Sequence, residues 1–271
     1  MGMKFTAQGL GDRFHLVSLA YQISRMENSP TTLHLAKNHS HDFKFDSFNE
    51  ICRLFPPGYV QLEFHPFEFD ENQTWIDYLR SIYTEAQLIA YKDHTGWLEK
   101  SFDFDASAFL KNRFLISPSC AHFLDLPEKY VVYQWDSTGI DRRLEESKIN
   151  EIEEAYFSLG CEKIVVGGES QMNSLRNCLA CAGKAISKAD FFVGVDSGFM
   201  HVALQVLPPS KIHIYTSVNR FWSHHLFRAI DLGVQINFFG GGISFLQLAY
   251  VRLRYDSPRI RKLAHSLKTL R

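Results

Sequence analysis

The stretch Ala189-Asp190-Phe191-Phe192-Val193-Gly194-Val195-Asp196-Ser197-Gly198-Phe199-Met200-His201-Val202-Ala203 decides the fold. An apolar run stops at Asp-Ser-Gly and resumes with helical spacing, so it reads as a buried strand delivering a polar turn to the start of a helix. Parallel α/β sheets take their ligands at the carboxyl ends of strands, and a helix N-terminus offers unpaired N–H groups at its positive dipole end. Such a turn suits an anion, above all a diphosphate.

A second signal of this kind opens the chain. Residues 3–7 read as a strand, Gln8-Gly9-Leu10-Gly11-Asp12 as a tight turn, and His15, Leu16, Leu19, Ala20 and Ile23 as one face of a helix over 12–26. Gly-Leu-Gly-Asp before a helix, followed far downstream by Val-Gly-Val-Asp-Ser-Gly-x-x-His-x-Ala, resembles the bacterial heptosyltransferases, members of the family 9-like glycosyltransferases. The resemblance implies an α/β chain of two Rossmann-like domains facing each other across a cleft (GT-B type). The N-terminal domain, shortened here to residues 1–125, would take the acceptor. Residues 126–271 would take the nucleotide sugar.

The remaining pattern agrees with βα layering. In the first half, strands are expected at 31–36, 59–64, 88–92 and 113–118, with helices near 46–54 and 72–87. The proline in Phe123-Leu124-Asp125-Leu126-Pro127-Glu128-Lys129 marks the domain boundary. Beyond it, strands are expected at 130–135, 163–167, 191–195, 211–216 and 234–239. Helices are expected at 141–159, 172–187, 199–206 and near 221–232, and a long terminal helix follows Gly240-Gly241-Gly242.

With 45% hydrophobic and 14% aromatic residues in 271, the chain can build a sizeable core in one or two domains. A net charge of −1 gives no electrostatic case for nucleic acid. Basic residues do crowd the C-terminus: Arg252, Arg254, Arg259, Arg261, Lys262, Lys268 and Arg271. They read as a solvated helix face or as a peripheral contact with an anionic membrane or acidic glycolipid. The longest apolar region, 229–251, holds Asp231, Asn237 and three glycines, so no membrane-spanning helix is expected. Cys52, Cys120, Cys161, Cys178 and Cys181 read as reduced thiols of a cytoplasmic protein. Cys178-Leu179-Ala180-Cys181 has half-site spacing but no second pair in sequence, and reads as buried helix cysteines. His34, His39, His41 and Asp42 are too irregular for a metal set, so neither metal nor cofactor is expected.

Inverting sugar transfer needs a base for the acceptor hydroxyl and stabilisation of the departing diphosphate. The resemblance puts the base on Asp12, beside Gly11, and the diphosphate on the N–H groups of Ser197 and Gly198, with the Ser197 hydroxyl as a further donor. It also has Asp196 contact sugar hydroxyls or order the turn, and places His201 near the nucleotide. From the residues alone, Asp12 reads equally as a helix cap, Asp196 or Ser197 as an N-cap, and His201 as a satisfied helix histidine. In the loop Gln134-Trp135-Asp136-Ser137-Thr138-Gly139-Ile140-Asp141-Arg142-Arg143, Ser137 and Thr138 suit phosphate oxygens, and Arg142 or Arg143 supplies charge or lies on a surface helix. Gly167-Gly168-Glu169 resembles the family's turn along the nucleotide, with Glu169 placed for a ribose hydroxyl. Asn219, Arg220, Trp222, His224 and His225 follow the next strand, where a base or sugar would stack on Trp222.

The expected partners are a nucleotide-sugar donor and a surface-glycan or lipid-linked acceptor, with the reaction in the cytoplasm or at the inner face of the membrane. Two other functions fit the same turns: a nucleotide-sugar epimerase or hydrolase, and a catalytically silent scaffold that binds without turnover.

Overall fold

The computed structural model describes residues 10–36, 48–65, 114–136, 142–168, 170–218, 226, 229–230 and 232–240. The first half contributes α1 (Leu10–Glu27), β1 (Thr31–Ala36), α2 (Phe48–Cys52) and β2 (Val60–His65). The second begins with β3 (Tyr130–Gln134), α3 (Glu146–Phe157), β4 (Glu162–Val165), α4 (Asn173–Asn177) and α5 (Leu179–Lys188). It continues with β5 (Phe191–Val195), α6 (Gly198–Val206), β6 (Ile212–Ser217) and β7 (Gln235–Phe239). The expected strand 3–7, elements between 72 and 92 and the terminal helix lie outside the described residues. So does most of the expected helix 221–232, of which 226, 229 and 230 are helical.

β1 and β2 pair in parallel, and the other strands form a parallel sheet in the order β4-β3-β5-β6-β7. Parallel neighbours require crossovers that cover the sheet, which is why its central strands read as continuous apolar runs. The alternation of side chains sorts them into two layers. Tyr130, Val132, Phe192, Ile212 and Ile214 join a cluster with α1, α2, α5 and α6. Val131, Tyr133, Trp135, Val193 and Val195 join Ile152 and Tyr156 of α3. The first cluster holds Phe14, Leu33, Phe48 and Ile51 as well as Leu179, Ala182 and Met200, so apolar packing is continuous across the expected boundary at 125/126.

Register explains one glycine. Gly194 pairs with Gln134, and a Cβ on it would stand 2.6 Å from the Gln134 carbonyl oxygen. Only glycine allows β3 and β5 to close together at their carboxyl ends.

Three expectations are corrected. Residues 114–118 form no strand, although Ile116 and Pro118 are buried between exposed Leu115 and Ser117 as in a strand. Two buried glutamines replace the ladder. Phe114 N–H donates to Gln22 Oε1 (2.9 Å), the Phe114 carbonyl accepts from Gln22 and Gln205 side chains, and Ile116 N–H donates to the Gln205 carbonyl (3.0 Å). The helix expected over 172–187 is two helices, because Cys178 turns extended (φ −129°, ψ 108°) and its sulfur accepts the Cys181 N–H, restarting the chain as α5. The cysteines are not all reduced thiols: Cys120 and Cys181 form a disulfide, with Cys52, Cys161 and Cys178 outside any disulfide.

Gln22→Leu preserves volume but orphans the Phe114 N–H. It should destabilise by about 1–3 kcal/mol, read as a lower urea midpoint with unchanged slope. An unchanged midpoint would show that these glutamines do not hold the 114–118 segment.

Candidate functional site

The order β4-β3-β5-β6-β7 reverses direction between β3 and β5. In doubly wound sheets this switch point opens a crevice at the strand carboxyl ends, the usual ligand position. Most of the described site residues named from sequence gather there.

Asp196 and Ser197 leave β5 at this point, with exposures of 1% and 8%. Ser197 holds the N-cap position of α6 in extended conformation (φ −140°, ψ 176°), yet its side chain makes no cap hydrogen bond. Its hydroxyl donates instead to Gln134 Oε1 (2.5 Å), and the Gln134 amide donates to the Asp136 carbonyl. The hydroxyl proton expected for phosphate is thus already committed to β3, and the Ser197 carbonyl accepts the Met200 N–H (3.1 Å) in the first turn of α6. Gln134 was legible only as the polar end of an apolar strand. Its role in tying the two strand ends together depends on the β3–β5 pairing.

Arg142 is the arginine brought to the switch point. Its Nη1 donates to the Asp196 carbonyl (3.0 Å), and its buried Nε has no partner among the described residues. Arg143 is exposed, and α3 begins only at Glu146, so Arg142 precedes the helix expected to carry it. Ser137, Thr138 and Glu169, like Asn219, Arg220, Trp222, His224 and His225, lie outside the described residues. Gly168 sits beside Asp136, where a Cβ would stand 3.5 Å from Oδ2. Its carbonyl accepts from Arg176 Nε (3.1 Å), and neighbouring Gly167 supplies the left-handed turn at φ 88°. Burial, aided by Glu153, raises the pKa of Tyr133, one residue before Gln134.

The N-terminus of α1 reaches the same point. A Cβ on Gly198 would lie 2.9 Å from the Gly11 nitrogen and 2.9 Å from Leu10 Cβ, and one on Gly11 would lie 3.0 Å from His201 Cδ2. The clearance expected at Gly198 for a diphosphate is therefore filled by the start of α1, and His201 lies against that start. Because α1 begins at Leu10, Asp12 falls within its first turn and not at the N-cap; its side chain lies outside the described residues.

A groove of about 360 Å³, lined in part by Lys148, Tyr156, His213 and Gln235, runs between α3 and the sheet. It includes Phe191 and Gln235, which start their strands, so it does not belong to the switch-point crevice. No described helix is long and apolar enough to cross a membrane.

Neither a protein-family model nor a curated protein matches the chain. Distant likenesses exist among solved structures. One is the bacterial iron-containing dodecameric glycosyltransferase TibC from enterotoxigenic E. coli H10407, with 13% identity, a TM-score of 0.45, and coverage of 77% of this chain and 56% of that one. Another is the dodecameric iron-containing heptosyltransferase TibC in complex with ADP-D-β-D-heptose, with 15% identity, a TM-score of 0.45, and coverage of 76% and 55%. The chain thus spans just over half the length of these structures.

Gly198→Ala should destabilise the fold by about 1–3 kcal/mol, because the methyl group meets the Gly11 backbone nitrogen and the Leu10 Cβ, which move only with the start of α1. A thermal midpoint equal to the parent's would contradict the close approach of α1 and α6.

Proposed function

We propose that the chain is an inverting glycosyltransferase that moves a sugar from a nucleotide-sugar donor to a surface-glycan or lipid-linked acceptor. The observation that carries this reading is the meeting of two helix N-termini with Arg142 at the β3–β5 switch point. Each helix N-terminus carries roughly half a positive charge, so abutting two of them is unfavourable until an anion or water lies at the junction. A donor diphosphate meets that need through the positive end of α6 and the guanidinium of Arg142. This arrangement asks for no divalent cation at the diphosphate. Asp196 then faces the sugar, and the Gly167-Gly168 turn flanks the nucleoside.

Asp12, in the first turn of α1 and one residue from the contact with α6, is the base. Its carboxylate takes the acceptor hydroxyl proton as the oxygen attacks the anomeric carbon, and the nucleoside diphosphate leaves from the opposite face with the bonding electron pair.

Asp12→Asn should leave folding and nucleoside-diphosphate affinity within about twofold of the parent while slowing transfer by two to four orders of magnitude, on the order expected for a lost general base. Undiminished transfer would remove Asp12 from the chemistry. Arg142→Gln should weaken nucleoside diphosphate in calorimetric titration by about tenfold and leave the unphosphorylated nucleoside unaffected. Equal weakening of both would make Arg142 a structural support of the Asp196 turn. Binding by the parent without transfer across a panel of donor sugars and acceptors would favour the scaffold reading.

A further inference from the structure

Cys178-x-x-Cys181 gains in three dimensions the second pair that it lacks in sequence. Cys120 and His122 lie against it, and one ligand atom from each of these four residues falls within 4.8 Å of all the others. His122 Nδ1 is 3.2 Å from Cys181 Sγ and 3.8 Å from Cys120 Sγ. Cys120 and Cys181 are joined as a disulfide, and the Cys178 thiol and the His122 imidazole stand against it.

We propose that Cys120, His122, Cys178 and Cys181 form a closed Cys3His site for structural Zn²⁺. Both pairs have the short spacing, Cys-x-His and Cys-x-x-Cys, with which two side chains reach one ion, and three thiolates with one imidazole complete the tetrahedral sphere that zinc favours. The break between α4 and α5 prepares the site. Cys178 sits at the N-cap of α5, and its sulfur accepts the Cys181 N–H (3.4 Å). With four protein ligands no position is left for substrate, so the ion's role is to hold the 114–129 segment to α5. That junction is already close-packed: a Cβ on Gly183 would meet Leu54 Cδ2 at 2.9 Å and Pro118 Cγ at 3.2 Å.

The disulfide and the metal exclude each other. A phosphine reductant gives the disulfide two electrons and becomes the phosphine oxide by taking oxygen from water, whose two protons return Cys120 and Cys181 to thiols; coordination of Zn²⁺ by the three thiols then releases three protons. The disulfide alone needs neither His122 nor Cys178, which separates the two states experimentally.

The test is metal analysis of the full chain, purified with a phosphine reductant after expression in zinc-supplemented medium. About one zinc per chain is expected. Cys178→Ser keeps an N-cap acceptor and His122→Ala changes an exposed side chain, so both should fold, yet each should weaken zinc by about tenfold or more in competition with a chromophoric chelator. Cys52→Ser, outside the cluster, should match the parent. Co²⁺ in place of zinc should give intense visible bands of a tetrahedral thiolate site, lost in both cluster variants. Metal-free protein, or zinc retained undiminished in both variants, would overturn the site. Iron in place of zinc would overturn the assignment of the metal.

Discussion

The close approach of α1 to α6 is the contact on which the architecture depends. Gly11 and Gly198 bring two positive helix ends together, a geometry that any side chain at Gly198 would block. Attraction does not explain it, since like dipole ends repel. It is held from behind by apolar packing, in which Phe14, Val17 and Tyr21 of α1 share one cluster with Phe199, Met200 and Ala203 of α6. Hydrophobic burial, worth roughly 25 cal/mol per Å², thus holds an electrostatically unfavourable junction in place, which is how folds build anion sites in advance of the anion.

The parallel sheet supplies the other half of the site. Because β3 and β5 are neighbours without being consecutive, the residues after each strand, Gln134 to Asp136 and Asp196 to Ser197, open side by side. Gly194 permits the strands to close, the Ser197–Gln134 hydrogen bond ties their ends, and Arg142 crosses to the Asp196 carbonyl. These contacts fasten the Asp196–Ser197 turn to β3 and to the segment before α3.

The features legible in sequence were the local ones. The apolar run 191–195 is β5, because a strand buried by its crossovers announces itself through unbroken hydrophobicity, and Thr31–Ala36, with Leu33 and Leu35 on either side of His34, is β1. Phe114-Leu115-Ile116-Ser117-Pro118 was misread for an instructive reason: its alternation is real, but its hydrogen-bond partners are Gln22 and Gln205, each about ninety positions away. Distance in sequence also concealed Cys120 and His122 beside Cys178 and Cys181. The same limit left Arg142 and Arg143 indistinguishable, and made Gly198 look like clearance for a ligand when the neighbour is Gly11. Motif reading found the turn; only the strand order shows what else meets it.

Hydrogen–deuterium exchange of the full chain with and without saturating nucleoside diphosphate tests the central claim most directly. The switch-point account predicts protection concentrated in peptides covering 196–201, 142–145 and the start of α1 at 10–13. Peptides of the α3 groove, such as 148–159, should exchange at unchanged rates. Protection confined to that groove, or spread evenly over the sheet with 196–201 unaffected, would contradict a nucleotide site at the junction of α1 and α6.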